Sequence, residues 1–300
     1  MKHRIHTFLL CFLITFLLFP MTAKADMGPK PGVYISFENM GDEVCYGTLL
    51  SQRPSTGPAS VWDPSESDGV PEHIDTYGLD YDIWKAFVDY QDADGYYFLQ
   101  EAWQCNESKC FSWTYYPPDT FKILLYYPET DTFVVSGVYE RYAFDSYFSV
   151  DMKDLEAGSA AAQDVILTAR QNYPYAPELA ALLCRIVLTI LLEIGIALLF
   201  GFREKKLLLF ITGVNVVTQV VLNVMLNIVR YKSGDLALIF YYFPYEAVVF
   251  IIEAVLYGSL FNKISQNRIP GWKIFLYAVT ANVLSFIAGF LTALWLPWIF

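Results

Sequence analysis

The sequence predicts a β-rich extracytoplasmic domain, sandwich-like with one short helix, followed by an α-helical bundle of four transmembrane helices. Three observations predict it. Charge is split between two halves: residues 26–178 carry 26 Asp and Glu against 8 Lys and Arg, while residues 179–300 carry 5 against 9. Such asymmetry points to two physical environments. Four apolar runs in the second half, at about 179–202, 207–229, 236–261 and 274–298, each reach the ~20 residues that cross a ~30 Å hydrocarbon layer. The N-terminus carries an export signature.

That signature occupies residues 1–25. Lys2 and Arg4 precede an apolar stretch at 8–19, and Ala23-Lys24-Ala25 gives an A-x-A cleavage pattern. The stretch is short for a bilayer span, so a cleaved signal peptide is expected and the mature chain should begin at Asp26.

Residues 26–155 read as the β-rich domain. Strand patterns occur at 32–38 and 43–51. The clearest hairpin joins 121–127 to 132–139 through a Pro-Glu-Thr-Asp turn, and 142–150 is a further strand. Between them, Ile83, Trp84, Phe87 and Val88 share one face of a helix expected over 77–90. Residues 156–178 read as a linker, with a short helix at 156–172 and the stiff NYPYAPE bridge.

Four cysteines follow the signal: Cys45, Cys105, Cys110 and Cys184. A Cys105–Cys110 disulfide would suit an oxidising compartment; the alternative pairs Cys45 with one of the two. The acidic stretch YQDADGYYFLQE places Asp92, Asp94 and Glu101 at positions 3, 5 and 12 of an EF-hand-like loop, so calcium is the one cofactor considered. Tyr90 stands where the first ligand should be, and an Asp-Gly turn is the competing explanation.

Common catalytic sets are missing. The mature chain has a single histidine, His73, and lacks G-x-S-x-G, H-E-x-x-H and P-loop motifs. No catalytic residue is assigned, and an enzymatic role is disfavoured. An acidic domain repels phosphate, so no nucleic acid partner is expected. The expected partners are the lipid bilayer and another membrane or envelope protein.

Each span carries one polar stripe. Asn215, Gln219, Asn223 and Asn227 share an arc of roughly 120° at 100° per residue. Other stripes hold Arg185, Thr189 and Glu193; Tyr242, Glu246, Glu253 and Tyr257; and Asn282, Ser285 and Gly289. Counting ~1.5 Å per residue inward places Arg185 with Asn223, Gln219 with Glu246, and Glu193 with Asn215 and Asn282 at similar depths, with Glu253 slightly deeper. Pro244 predicts a kink beside Glu246. The intramembrane polar site is therefore assigned to Arg185, Glu193, Asn215, Gln219, Asn223, Glu246, Glu253 and Asn282. Amides alone serve as helix glue, whereas buried carboxyl groups point to function.

The basic residues Arg203, Lys205 and Lys206, with Lys263, Arg268 and Lys273, put the loops at 201–206 and 262–273 in the cytoplasm by the positive-inside rule. Residues 26–178 and the C-terminus then lie outside a cell membrane. The blocks DMGPKP, DGYYFLQ, YYPPDTFKILLYYPE, RYAFDSYF, TILLEIGIALLFGFREKK and NVVTQVVLNVMLN resemble a family of multi-pass membrane proteins of clostridia-like bacteria. The resemblance spans most of the mature chain. It implies a Gram-positive envelope location and supplies no activity. The leading functional expectation is a binding or sensing protein, or an envelope assembly component. The alternatives are a cation or proton pathway through Glu193, Glu246 and Glu253, and an intramembrane enzyme.

Overall fold

A computed structural model describes residues 28–65, 79–153 and 166–295. The expected signal peptide, His73 and residues 156–165 lie outside the described residues. The chain divides into two compact units, Pro29–Tyr173 and the helices from residue 174 onward.

The first unit is β-rich, built from two four-stranded sheets. One runs β10-β9-β1-β6, with β1 Gly32–Glu38, β6 Cys110–Trp113, β9 Asp145–Asp151 and β10 Ala169–Gln171. The other runs β5-β2-β7-β8, with β2 Tyr46–Ser51, β5 Trp103–Gln104, β7 Thr120–Tyr127 and β8 Thr132–Glu140. The pairs β3 Ser55–Thr56 and β4 Ala59–Ser60 form a separate ribbon. Side chains alternate across a strand. Val33, Ile35 and Phe37 therefore meet Phe121, Ile123 and Leu125 in a core shared by the two large sheets. The opposite face of β7 is buried too. Leu124 and Tyr126 pack under helix α1, Tyr81–Asp89, through Ile83, Trp84 and Phe87. Asp80 caps α1 by accepting from the Asp82 amide at 2.8 Å, which fixes its start inside the expected 77–90 window. Burial on both faces explains why β7 reads as a nearly unbroken apolar run.

Within the expected 156–172 helix, residues 169–171 instead form β10, antiparallel to β9. A three-residue strand is too short to show a period of two.

Among the described residues, the second unit contains three helices long and apolar enough to cross a membrane, where four were expected: α2 Tyr175–Leu199, α3 Lys205–Ile264 and α4 Gly271–Trp295. At 60 residues, α3 would be about 90 Å long if straight, three times a ~30 Å hydrocarbon layer. It does not run straight. Gly234 sits at φ 79°, ψ 178°, a region essentially confined to glycine. Hydrogen bonds then join Asn215 to Tyr257 and Thr218 to Glu253 across this break. A straight helix would hold those pairs roughly 50–60 Å apart. The two limbs therefore fold back antiparallel. The kink expected at Pro244 is not where the backbone breaks; Pro244 lies within the helix and Gly234 is the non-helical residue.

The links at 200–204 and 265–270 meet at one end. Glu204 accepts from the Ser265 hydroxyl at 2.6 Å and the Gln266 amide at 2.9 Å. Arg203, Lys205, Lys206, Lys263, Arg268 and Lys273 all lie on or beside these links.

Surface and interior are inverted relative to a water-soluble bundle. Leu183, Val187, Leu191, Val217, Val221 and Phe275 are exposed, whereas Glu193, Asn215, Gln219, Asn223 and Glu253 are buried. A helical unit with apolar residues outside and amides and acids inside is suited to lipid.

Candidate functional site

The eight residues assigned to the polar site fall into two layers of the helical unit. Helix geometry sets this division: Asn215, Gln219 and Asn223 descend one face of α3 at about 6 Å per four residues.

The first layer is closed. Glu193 on α2 is 1% exposed, and Asn215 and Glu253 are 0% exposed. Glu193 Oε2 accepts from Asn215 Nδ2 at 2.7 Å and from the hydroxyls of Tyr257 and Tyr277 at 3.3 Å each. Glu253 Oε1 lies 2.7 Å from Thr218 Oγ1, and its Oε2 accepts from Asn282 Nδ2 at 2.9 Å. The two carboxyl groups are within electrostatic range of each other. Apart from a hydrogen bond between the two acids themselves, every partner is neutral. Among the described residues, neither carboxyl group forms a salt bridge with Lys, Arg or His.

The second layer is a cavity of about 20 Å³, lined by Arg185, Thr189, Gln219, Asn223, Tyr242, Glu246 and Ser285 among others. That volume holds a water molecule. Tyr242 hydrogen-bonds Glu246 one turn along the helix. Asn223 Nδ2 donates back to Gln219 O at 2.7 Å, so this amide is partly tied to its own helix. Arg185 and Glu246 share the cavity wall. Glu193 and Glu253 do not line it and belong to the closed layer.

Two contributors were missed. Thr218 stands one residue from Gln219, outside the four-residue amide spacing. Tyr277 sits in an apolar part of α4, five residues before Asn282, and a lone tyrosine there reads as packing. Its partner could be found only from the fold.

The loop considered for calcium is organised around a lysine. Lys122, on the outer face of β7 and 4% exposed, places Nζ 2.8 and 2.9 Å from the Asp92 carboxylate oxygens and 2.6 Å from Asp94. The ammonium supplies the positive charge that calcium would bring. Asp92 Oδ2 also accepts from the amides of Asp94 and Tyr96, at 3.0 and 3.2 Å. That is the Asp-Gly turn chemistry that competed with the calcium loop. The Glu101 backbone carbonyl accepts from Thr48. Among the described residues, no group of three or more His, Cys, Asp or Glu is arranged to hold a metal ion.

The expected Cys105–Cys110 bond is not formed; all four cysteines are free thiols. Cys105 is buried and Cys110 exposed. The backbone turns between them, through Lys109 at φ 51°. Cys105 is placed beside Cys45 instead: its amide donates to Cys45 O at 2.9 Å and its thiol at 3.4 Å. The hydrogen bond with Cys45 and burial together push the Cys105 thiol upward.

No protein-family model, curated protein or solved structure matches the chain.

Proposed function

We propose that the chain is a four-span membrane protein that binds, and passes, a proton or a monovalent cation through its helical unit. One observation carries this reading: two fully buried carboxyl groups, Glu193 and Glu253, hydrogen-bond each other and otherwise have only neutral partners. Buried acids cost several kcal/mol unless paired, and packing alone gives no reason to retain two of them. The amide row supports passage, because it connects the acid layer to the Arg185–Glu246 cavity within about 12 Å of one helix face. The two limbs of α3 serve as separate spans, and the basic residues at and beside the links 200–204 and 265–270 support a cytoplasmic location for that end. The β-rich unit and the C-terminus are then extracytoplasmic.

The test is flux in proteoliposomes holding the full-length protein, with an imposed pH or sodium gradient. Wild type should conduct, and Glu193→Gln should reduce flux at least tenfold. Wild-type flux no greater than that of empty liposomes sinks the reading.

A second reading, recognition of an extracytoplasmic partner, draws on the sheet β10-β9-β1-β6. Helix α1 packs on the other sheet, while this one carries a Tyr34–Tyr147 stack with ring centroids 4.8 Å apart. Photo-crosslinking from position 34 in intact cells should capture one defined envelope component. A diffuse pattern unchanged by Tyr147→Ala would remove this reading.

A further inference from the structure

The hydrogen bonds of the acid pair leave room for one proton, on Glu253. Thr218 Oγ1 lies 3.1 Å from Val214 O, 3.2 Å from Asn215 O and 2.7 Å from Glu253 Oε1. A hydroxyl has a single proton to donate. Helical threonines can give it to a carbonyl one turn back. At 2.7 Å the Thr218 hydroxyl can donate to Glu253 or, with its proton turned to a carbonyl, accept one from it. The other Glu253 oxygen accepts from Asn282, so a neutral Glu253 is satisfied at both oxygens. Glu193 is built the other way. Three donors converge on one of its oxygens, the arrangement that favours an anion.

A further group is left over. Asn215 is 0% exposed, and its Oδ1 has no hydrogen-bond partner. The nitrogen of the same amide touches Glu193, so this oxygen belongs to the acid layer. A buried carbonyl oxygen without a donor is costly, and it is the ligand type that hard cations take.

We propose that Glu193 and Glu253 form one cation site, occupied by a proton on Glu253 and open to an alkali-metal cation in its place. In the exchange the Glu253 O–H bond breaks and the proton leaves to water. The cation then binds both carboxylates, Thr218 Oγ1 and Asn215 Oδ1. Net charge is unchanged, because one positive charge replaces another. That matters in a bundle where two bare carboxylates would repel at high cost. A divalent ion would add a charge that the proton did not carry, which favours a monovalent ion. The titratable groups facing the site are Glu193 from α2, Glu253 and Tyr257 from α3, and Tyr277 from α4, with Glu246 of α3 in electrostatic range of Glu253. The inference rests on the proton-or-cation reading of the bundle and names its ligand.

The experiment uses purified full-length protein in detergent and weak buffer. NaCl, KCl or LiCl is added against choline chloride at equal ionic strength, with a pH indicator as readout. At least one alkali cation should release about one proton per chain, since metal binding to an acid displaces its proton. Choline should release none. Glu253→Gln, which mimics the neutral acid, should fold and lose the release. Asn215→Ser should raise the cation concentration required by about tenfold, equivalent to one hydrogen-bond-sized contact. No release from wild type with any of the three salts overturns the proposal, whether or not a variant folds. Undiminished release in Glu253→Gln overturns it as well. Release without flux in liposomes would leave the site standing and remove only passage.

Discussion

Lys122 in the β-rich unit and Glu193 in the helical unit are both almost wholly buried, yet they are satisfied in different ways. Lys122 meets two aspartates, one of them itself buried, so opposite charges cancel. Glu193 meets an amide, two phenols and a second acid, Glu253, with no cation beside them. The surfaces differ in the same sense. The β-rich unit is rich in exposed acids, while the helical unit exposes leucine, valine and phenylalanine. A unit surrounded by water can place its charges outside and needs few within. One surrounded by lipid must keep polar groups inside, where they are available to bind an ion. The contrast teaches that burial alone does not mark a functional group; the sign and neutrality of its partners do.

The largest expected effect tests the charged pair. Lys122→Met leaves Asp92 buried without its counter-ion and should destabilise the β-rich unit by about 3–5 kcal/mol. Urea unfolding followed by tryptophan fluorescence reads this, because Trp62, Trp84, Trp103 and Trp113 all lie in that unit. An unchanged midpoint would show that the Lys122 cluster is not a structural pair.

The next effect sharpens the difference between the two surfaces. Val138 on β8 and Val217 on α3 are 49% and 63% exposed. Val138→Lys should change stability by no more than about 0.5 kcal/mol, as exposed substitutions do in water. Val217→Lys should cost roughly 2.5–3.5 kcal/mol of membrane insertion. Comparing the membrane-integrated fractions of the two variants checks it. Equal behaviour would mean that the helical surface does not face lipid.

The smallest effect is in pH. Glu38 is held below the ordinary carboxylate range by hydrogen bonds from Ser149 and Arg170, Asp42 by Lys109, and Asp151 by Asn39. A depressed carboxyl group adds stability above its unfolded value and loses it as pH falls through its folded value. Lys122 is shifted in the opposite direction. Burial opposes its charge, but Asp92 and Asp94 outweigh that and leave it raised. Its contribution is complete below 10.5, the ordinary lysine value, and is lost as pH rises through the folded value. The β-rich unit should therefore weaken gently below pH 4.5 and again above 10.5. A urea midpoint that rises on acidification would contradict this assignment.

Much of this organisation is legible in the sequence because the signals are periodic. The β7–β8 hairpin and helix α1 follow from alternation and helical spacing. The pairing of Glu193 with Asn215 follows from counting residues inward from the end of each span. Other features have no local signal. Glu253 and Glu193 come together only because α3 doubles back, and the break falls at Gly234 rather than at the conspicuous Pro244. The aspartates of the calcium-like loop find Lys122 about thirty residues away, on a strand whose pattern otherwise reads as apolar. Cys105 faces Cys45 across β2 and β5 rather than its near neighbour Cys110. Tyr277 reads as packing until the helix that places it beside Glu193 is known. In each case the partner is distant in sequence, and only the folded chain supplies it.

The central claim is that the two buried acids share one proton, held by Glu253. Infrared spectroscopy of the reconstituted protein, with its glutamates isotopically labelled, reads protonated carboxyl groups directly. The account predicts a protonated-glutamate carbonyl band that persists in Glu193→Gln and disappears in Glu253→Gln. A band that survives in Glu253→Gln and vanishes in Glu193→Gln would contradict it.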